Sequence, residues 1–280
     1  MIDIQALTRS AQHIEPLPAS VARLMALTAG DTWSLRDVEQ IVQLDQALTM
    51  RLLRAANSAA SASAVPIATV HDAVVRMGMT SIMALATAVG VQKRLTQALP
   101  QYCLPEGELW RHSVAAALAA ESLQAYCRVG LPPETYTAAL LHDVGKLVMA
   151  RFLEPYVLGA LAESRERGGL SSLRAESDLL QVHHGELGGI IAQEWQLPDR
   201  LVAGIIHHHT PDLARDVIAD AVHVANIAAK LAGTGFSASA ADCQVAPSSL
   251  ERLGMSADGL ADLTAQVSAR LDQVLAIYTA

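Results

Sequence analysis

Apolar residues recur three and four positions apart along most of this chain, in stretches broken by proline, glycine and small polar residues. That period is the signature of amphipathic helices rather than strands. The first such stretch starts at about Ala19. Residues 1–18 end in Glu15-Pro16-Leu17-Pro18, which holds the backbone extended, so no helix is expected before Pro18 is passed. Val21, Leu24, Met25 and Leu27 then form a core stripe. Ser34 is a good N-cap for a second helix, with Asp37 three residues on and Val38, Ile41 and Val42 as its buried face. A third helix is expected from about Asp45, carrying Leu48, Met50, Leu52, Leu53 and Ala56 to a stop near Asn57-Ser58. After the small residues Ala59–Ala64 and Val65-Pro66, the pattern predicts a fourth helix from Val70 and a fifth from Thr80 through Leu95, separated at Gly78.

Residues 97–107, QALPQYCLPEG, hold two prolines and a glycine and are the expected boundary between units 1–105 and 106–280. A long helix is then predicted from about Glu108 to Tyr126, with Trp110, Val114 and Leu118 at helical spacing. Pro132-Pro133 breaks the chain before a helix that starts near Glu134 and runs into His142-Asp143. Further helices are expected at 154–167, 171–181, 184–195 and 198–208, and two closing helices at 214–232 and 259–278, with a small-residue loop at 233–247. No strand pattern and no internal repeat is visible. The fold class is therefore all-α.

Composition sharpens this reading. Half of the residues are hydrophobic but only 4% are aromatic, and Ala, Leu and Val dominate, which favours packed helices over a β-sandwich. The formal charge is −8, and it is uneven: residues 1–105 carry 8 Lys/Arg and 7 Asp/Glu, whereas 106–280 carry 12 and 21. An acidic second half argues against nucleic acid as a partner, which needs clustered cations. Cys103, Cys127 and Cys243 are odd in number and scattered, so a reducing cytoplasm is expected rather than a disulfide framework. The first residues lack a basic region followed by an apolar core, and no charge-free apolar run reaches the roughly 18 residues of a spanning helix, so neither signal peptide nor membrane is expected.

The chemistry concentrates in TAALLHDVGK (137–146). An imidazole beside a carboxylate at the end of a rigid helix suits a divalent metal that takes mixed N/O ligands. Gly145 permits close backbone approach, and Lys146 puts a point charge where a phosphate could sit. The dipeptide gains weight from its company: of ten histidines, eight are His112, His142, His183, His184, His207, His208, His209 and His223. Histidines enriched against helical apolar patterns point to a buried metal site assembled from several helices. The alternative is a hydrogen-bonded polar cluster in the helical core. His183 and His207 read as exposed neighbours, His223 as a core histidine or one that supports a ligand, and His13 and His71 as surface. Lys146 reads equally as a surface lysine, and Asn57-Ser58 as a helix stop.

Several of these segments, in this order, resemble the HDOD family, the HD-related output domains of bacterial signalling. The first unit carries Leu17-Pro18, VEQIVQLDQALTMRLLRAANSA (38–59) and Arg76-Met77-Gly78. Asp45-Gln46 stands where the family usually has Asp-Pro, and Met77-Gly78 where it has Leu-Gly. The second unit carries LWRHS (109–113), LLHDVGK (140–146), HGELGGIIAQEWQLP (184–198) and IHHHTP (206–211). The resemblance covers roughly residues 10–235 and implies an all-α fold, a helical bundle packed on an HD-type helical unit. It implies a signalling output module that acts through protein contacts.

By resemblance to the wider HD phosphohydrolase superfamily, and to its HD-GYP branch, His112 matches the first histidine and His142-Asp143 the HD pair. His184 matches the next ligand, and His208-His209 the paired histidines. Glu108, one turn before His112, matches a further ligand of some HD-GYP enzymes, a first-turn glutamate in solvent being the alternative. Asp143 and Lys146 would then be the catalytic pair on a phosphorylated small molecule, with one or two divalent ions, iron, manganese or zinc. Two departures set this chain apart. Asn226 stands at the last aspartate of the HD pattern, and Thr210-Pro211-Asp212 replaces the GYP sequence, which argues against cyclic-di-GMP hydrolysis.

Overall fold

A computed structural model describes residues 4–29, 33–57, 67–152, 163, 172–214, 216–235 and 243–278. Ser58, the small-residue stretch 59–66, the helix expected at 154–167 and part of the loop at 233–247 lie outside the described residues. The described residues are helical and include no strand, only an isolated antiparallel bridge between Leu99 and Leu104.

The chain divides into two compact units: Met1–Glu15 with Arg94–Leu271, and Pro16–Lys93 with Asp272–Ala280. Each is therefore built from two separate segments, whereas the sequence suggested one cut near residue 105.

In the smaller unit, helices Ala19–Ala29, Leu35–Gln43 and Gln46–Ala56 follow one another, and Val70–Leu95 supplies a long fourth. Ser34 caps its helix through a reciprocal pair: its hydroxyl accepts the Asp37 N–H at 3.3 Å and its own N–H donates to Asp37 Oδ2 at 2.9 Å. Asp45 caps the next helix by accepting the Leu48 N–H at 3.0 Å, while Ser20 donates to its other oxygen at 2.6 Å. Leu24, Val38, Val42, Leu48 and Leu52 fill the core. Met50 does not join them and is exposed, because it lies on the face opposite Leu48 and Leu52. The stop at Asn57 is more than a helix end. Its side chain donates to the Leu53 and Ile67 carbonyls and accepts the Ile67 N–H, all at 2.7–2.8 Å, which ties the chain to the start of the next helix.

Val70–Leu95 is long and apolar enough to cross a membrane by length and composition alone, and 44% of its most apolar stretch is buried inside the fold. Gly78 breaks it at φ 74°, ψ 162°, a backbone conformation open to glycine alone, so the expected division into two helices holds.

The larger unit opens with a surprise. Ile4–Gln12 is helical, because the prolines restrict only the residues beside them, and its Leu7 and Ala11 are buried against helices Lys146–Phe152 and His184–Glu194. Glu108–Leu123 and Val217–Leu231 form the centre of this unit. Both are rich in buried alanine (Ala115, Ala116 and Ala119 on one, Ala221, Ala225 and Ala228 on the other), which lets their backbones approach. Helices Thr135–Leu141 and Asp199–His207 pack on this pair, and Pro247–Leu253, which the pattern did not announce, covers Val217–Leu231. Asp220, buried on Val217–Leu231, holds that cover by accepting from Ser249 Oγ at 2.6 Å and from Arg252 Nε at 2.8 Å.

Candidate metal centre

Helix ends in the larger unit bring the histidines together. His112 lies one turn into Glu108–Leu123. His142 and Asp143 follow Thr135–Leu141 in a tight turn. His184 begins His184–Glu194, and His208 and His209 follow Asp199–His207. Gly145 is what allows the turn to meet the His184 helix. A Cβ there would overlap the His184 carbonyl oxygen and sit 2.7 Å from the Gly188 nitrogen. The close approach read from the sequence is real, and backbone fills it rather than a phosphate.

Four of the imidazoles are oriented by their Nδ1 atoms. His142 Nδ1 donates to the Ala139 carbonyl at 2.6 Å, His208 Nδ1 to the Ile205 carbonyl at 2.7 Å, and His184 Nδ1 to Glu176 Oε2 at 2.6 Å. The Thr234 hydroxyl donates to the Ala229 carbonyl, so its oxygen is left to accept from His112 Nδ1 at 3.1 Å. With Nδ1 donating, each of the four turns its Nε2 inward, and those of His142 and His208 meet no hydrogen-bond partner.

Those Nε2 atoms surround Asp143. His112 Nε2 is 3.6 Å and His142 Nε2 3.4 Å from Asp143 Oδ2. His184 Nε2 is 3.1 Å and His208 Nε2 3.9 Å from Asp143 Oδ1. His209 Nε2 lies 3.0 Å from His184 Nε2, and Asn226 Oδ1 lies 3.1 Å from His112 Nε2. Two donor groups result, His112/His142/Asp143 and His184/His208/His209, each with ligand atoms within 4.8 Å of one another. His142 Nε2, His208 Nε2 and Asp143 Oδ1 are buried without a hydrogen-bond partner. Buried polar atoms are almost always satisfied, so three adjacent orphans ask for a cation. Imidazole and carboxylate donors in this number fit iron, manganese or zinc.

The electrostatics agree. Burial holds His112, His208 and His209 well below the ordinary histidine range, the Asp143 carboxylate only partly opposing it at His112. They are neutral, the form that binds metal. Burial alone would raise the Asp143 carboxyl, but His142 and Lys146 outweigh it and hold it well below the usual range. At His184 burial opposes protonation, yet the Glu176 carboxylate overrides it and raises the imidazole.

The other candidates have defined places. Lys146 Nζ is committed to Asp143 Oδ2 at 2.6 Å and sits 5.5 Å over the Tyr102 ring, so it is no surface lysine. Glu108 is half-buried, and its Oε1 accepts the Gly235 N–H at 2.6 Å, outside both donor groups. Gly235 in turn packs on His112, so Glu108 holds the backbone that lies against that imidazole. His223 Nδ1 donates to the His208 carbonyl at 2.8 Å, and its Nε2 accepts the Ala246 N–H at 2.9 Å, fixing the backbone behind His208. His183 caps the His184 helix by accepting the Gly185 N–H at 3.1 Å. His13 and His71 are exposed, the latter paired with Glu39. Thr234, Tyr102 and Glu176 also belong to this cluster. Nothing in their local sequence marks them, because each acts on a histidine only after folding.

Comparison with known proteins agrees with this architecture. A relative of unknown character from Treponema pallidum (strain Nichols) is 25% identical over 197 residues, which is 70% of this chain and 37% of the relative. The chain thus spans little more than a third of that protein. The crystal structure of an HDOD domain protein of unknown function from Geobacter sulfurreducens superposes with a TM-score of 0.76 at 22% identity, over 96% of this chain and 98% of the other. A candidate phosphohydrolase from Shewanella amazonensis SB2B superposes with a TM-score of 0.70 at 24% identity, over 95% and 94%. The profile of the HDOD domain matches residues 14–211, which take in the Leu17-Pro18 start, the His142-Asp143 turn and all four oriented imidazoles, and the chain belongs to the HDOD domain family.

Proposed function

We propose that this protein is a signalling output module that acts through protein contacts and whose larger unit holds a divalent metal. The observation that carries the reading is the set of buried, partnerless donors, His142 Nε2, His208 Nε2 and Asp143 Oδ1, among imidazoles whose Nδ1 atoms are already used. His112, His142, Asp143, His184, His208 and His209 would hold one or two ions, with Glu108 behind His112. Such an ion supplies Lewis acidity and can make bound water acidic near neutral pH.

Two features favour regulation over turnover. His112, His142, Asp143, His184 and His208 are each at most 2% exposed, and closed sites are the structural kind. Lys146 is held by Asp143 rather than free for a substrate phosphate. Membership of a family of signalling output domains supports a protein partner, and the acidic balance of the second half, 12 Lys/Arg against 21 Asp/Glu, argues against nucleic acid.

The test is metal content by inductively coupled plasma mass spectrometry on protein purified without chelator or affinity metal. Stoichiometric iron, manganese or zinc, absent from His142→Ala, is the expected result. A folded wild-type protein that is metal-free and takes up none of these ions would overturn the metal part of the proposal.

A second reading, a metal-dependent phosphohydrolase with Asp143 and Lys146 at the reacting phosphate, is favoured by His209, a half-buried donor at the edge of the cluster. It expects turnover of a phosphodiester or nucleotide that Asp143→Ala abolishes without unfolding the chain.

A further inference from the structure

Behind His184 lies a buried chain of polar groups that neither the family pattern nor the donor groups include. Glu176, on helix Ser172–Leu180, is fully buried. Its Oε2 accepts two N–H groups from the same residue, the His184 backbone at 2.8 Å and His184 Nδ1 at 2.6 Å. Its Oε1 accepts the Tyr102 hydroxyl at 2.9 Å. A carboxylate buried at such depth is expensive unless every lone pair is used, and here three donors converge on it.

Tyr102 is 2% exposed and comes from the segment whose prolines suggested a mere boundary. Pro100–Tyr102 forms a short 3-10 turn, and the Leu99–Leu104 bridge closes the loop around it. The same ring lies beneath Lys146 Nζ, which holds the other oxygen of Asp143. Tyr102 therefore touches both arms of the cluster, His184 through Glu176 and Asp143 through Lys146.

The double contact from Glu176 leaves His184 one tautomer and one ring orientation. Nδ1 keeps the proton, and Nε2 faces Asp143 Oδ1 and His209 Nε2. A carboxylate on the far nitrogen of a ligating imidazole also makes the near nitrogen more basic and adds negative charge close to a cation.

We propose that Glu176, held by Tyr102, is a positioning residue of the metal centre: it aims His184 Nε2 and raises the affinity of the site for a divalent ion. The inference rests on the metal-binding reading above and adds two residues to it.

The test is titration of the full chain with Co²⁺, read by its visible d–d bands, for wild type, Glu176→Gln, Tyr102→Phe and the ligand-loss control His184→Ala. Glu176→Gln keeps the shape but removes the charge, and about a 10–100-fold loss of Co²⁺ affinity with a shifted band envelope is expected. Tyr102→Phe should show a smaller loss in the same direction, and it keeps the proposal testable if the glutamine variant does not fold. Circular dichroism and melting in chelator should match wild type for any variant scored, so that a ligand effect is separated from a packing effect. Wild-type binding with both variants within twofold of it and spectrally identical would overturn this proposal while leaving the metal site standing. A wild type that gives no Co²⁺ bands and takes up no metal would overturn both.

Discussion

Gly145→Ala replaces one hydrogen with a methyl group at the point where the His142–Gly145 turn meets the His184 helix. The new Cβ would lie 2.7 Å from the Gly188 nitrogen and 2.8 Å from the His184 carbonyl carbon, and would overlap the carbonyl oxygen. Ordinary contact begins at 3.4 Å, so the turn and the helix must part by about 0.7 Å at the nitrogen alone. Both obstacles are backbone, and no side-chain rotation can relieve them. Overpacking that moves backbone costs about 3 kcal/mol, and the lost chain entropy of glycine returns about 0.4–1 kcal/mol, leaving a net loss of about 2–3 kcal/mol. For a unit of this size that lowers Tm by about 4–12 °C. Gly130→Ala is the control, since nothing lies within 4 Å of its Cβ and its backbone is unstrained. Differential scanning fluorimetry in chelator reads the stability, and metal content reads the site, because the displaced backbone carries His184. If Gly145→Ala melted within about 2 °C of Gly130→Ala, the close approach would not exist and the geometry of the centre would have to be redrawn.

Two further outcomes follow from the electrostatics and the packing. His112, His208 and His209 have pKa values lowered from 6.5 by burial, so below that pH the unfolded chain binds more protons than the folded one and stability falls. Burial lowers His183 and His223 as well, and His184, which is raised, opposes these five alone. Asp143 and Glu176, both lowered, contribute stability above the ordinary carboxylate range and lose it as pH falls through their depressed values. Melting in chelator should therefore decline from pH 6.5 downward and steepen below about pH 4.5; a flat profile between pH 7 and 5 would contradict neutral buried histidines. Asp220→Ala removes the acceptor of Ser249 Oγ and of Arg252, which is one-third exposed and keeps Asp212 at 2.7 Å. Urea unfolding should show a loss of about 2–3 kcal/mol, and one under about 0.5 kcal/mol would mean that Pro247–Leu253 is held by apolar contact alone.

The helices were legible because alanine and leucine at helical spacing leave little else to form, and caps such as Ser34 and Asp45 announced their starts within a residue. Ile4–Gln12 was missed by extending the reach of Pro16 and Pro18 too far upstream. Met50 shares the apolar run of its neighbours yet is exposed, because a run of apolar letters hides which half of the turn a residue faces. The residues that the fold gathers around Asp143 were legible from residue type and family pattern, since ligand chemistry restricts the choice to a few kinds of side chain. Glu176 and Tyr102 were not, for a carboxylate and a phenol are common and their meaning lies in a neighbour 8 or 82 positions away. The tautomers of His142 and His208, fixed by carbonyls three residues back in each case, show that a helix end can orient a ligand without help from distant sequence.

The smaller unit is closed by its second segment: Arg51 Nη1 and Gln92 Nε2 both donate to the Tyr278 carbonyl, at 2.8 and 3.0 Å. Pro16–Lys93 is therefore translated long before the piece that completes it. A nascent chain halted on the ribosome anywhere short of residue 272 would carry this bundle unfinished, with Arg51 and Gln92 lacking that carbonyl. The smaller unit can then be completed only after the whole of the larger one has been made, and a fragment cut at residue 105 would inherit the same defect.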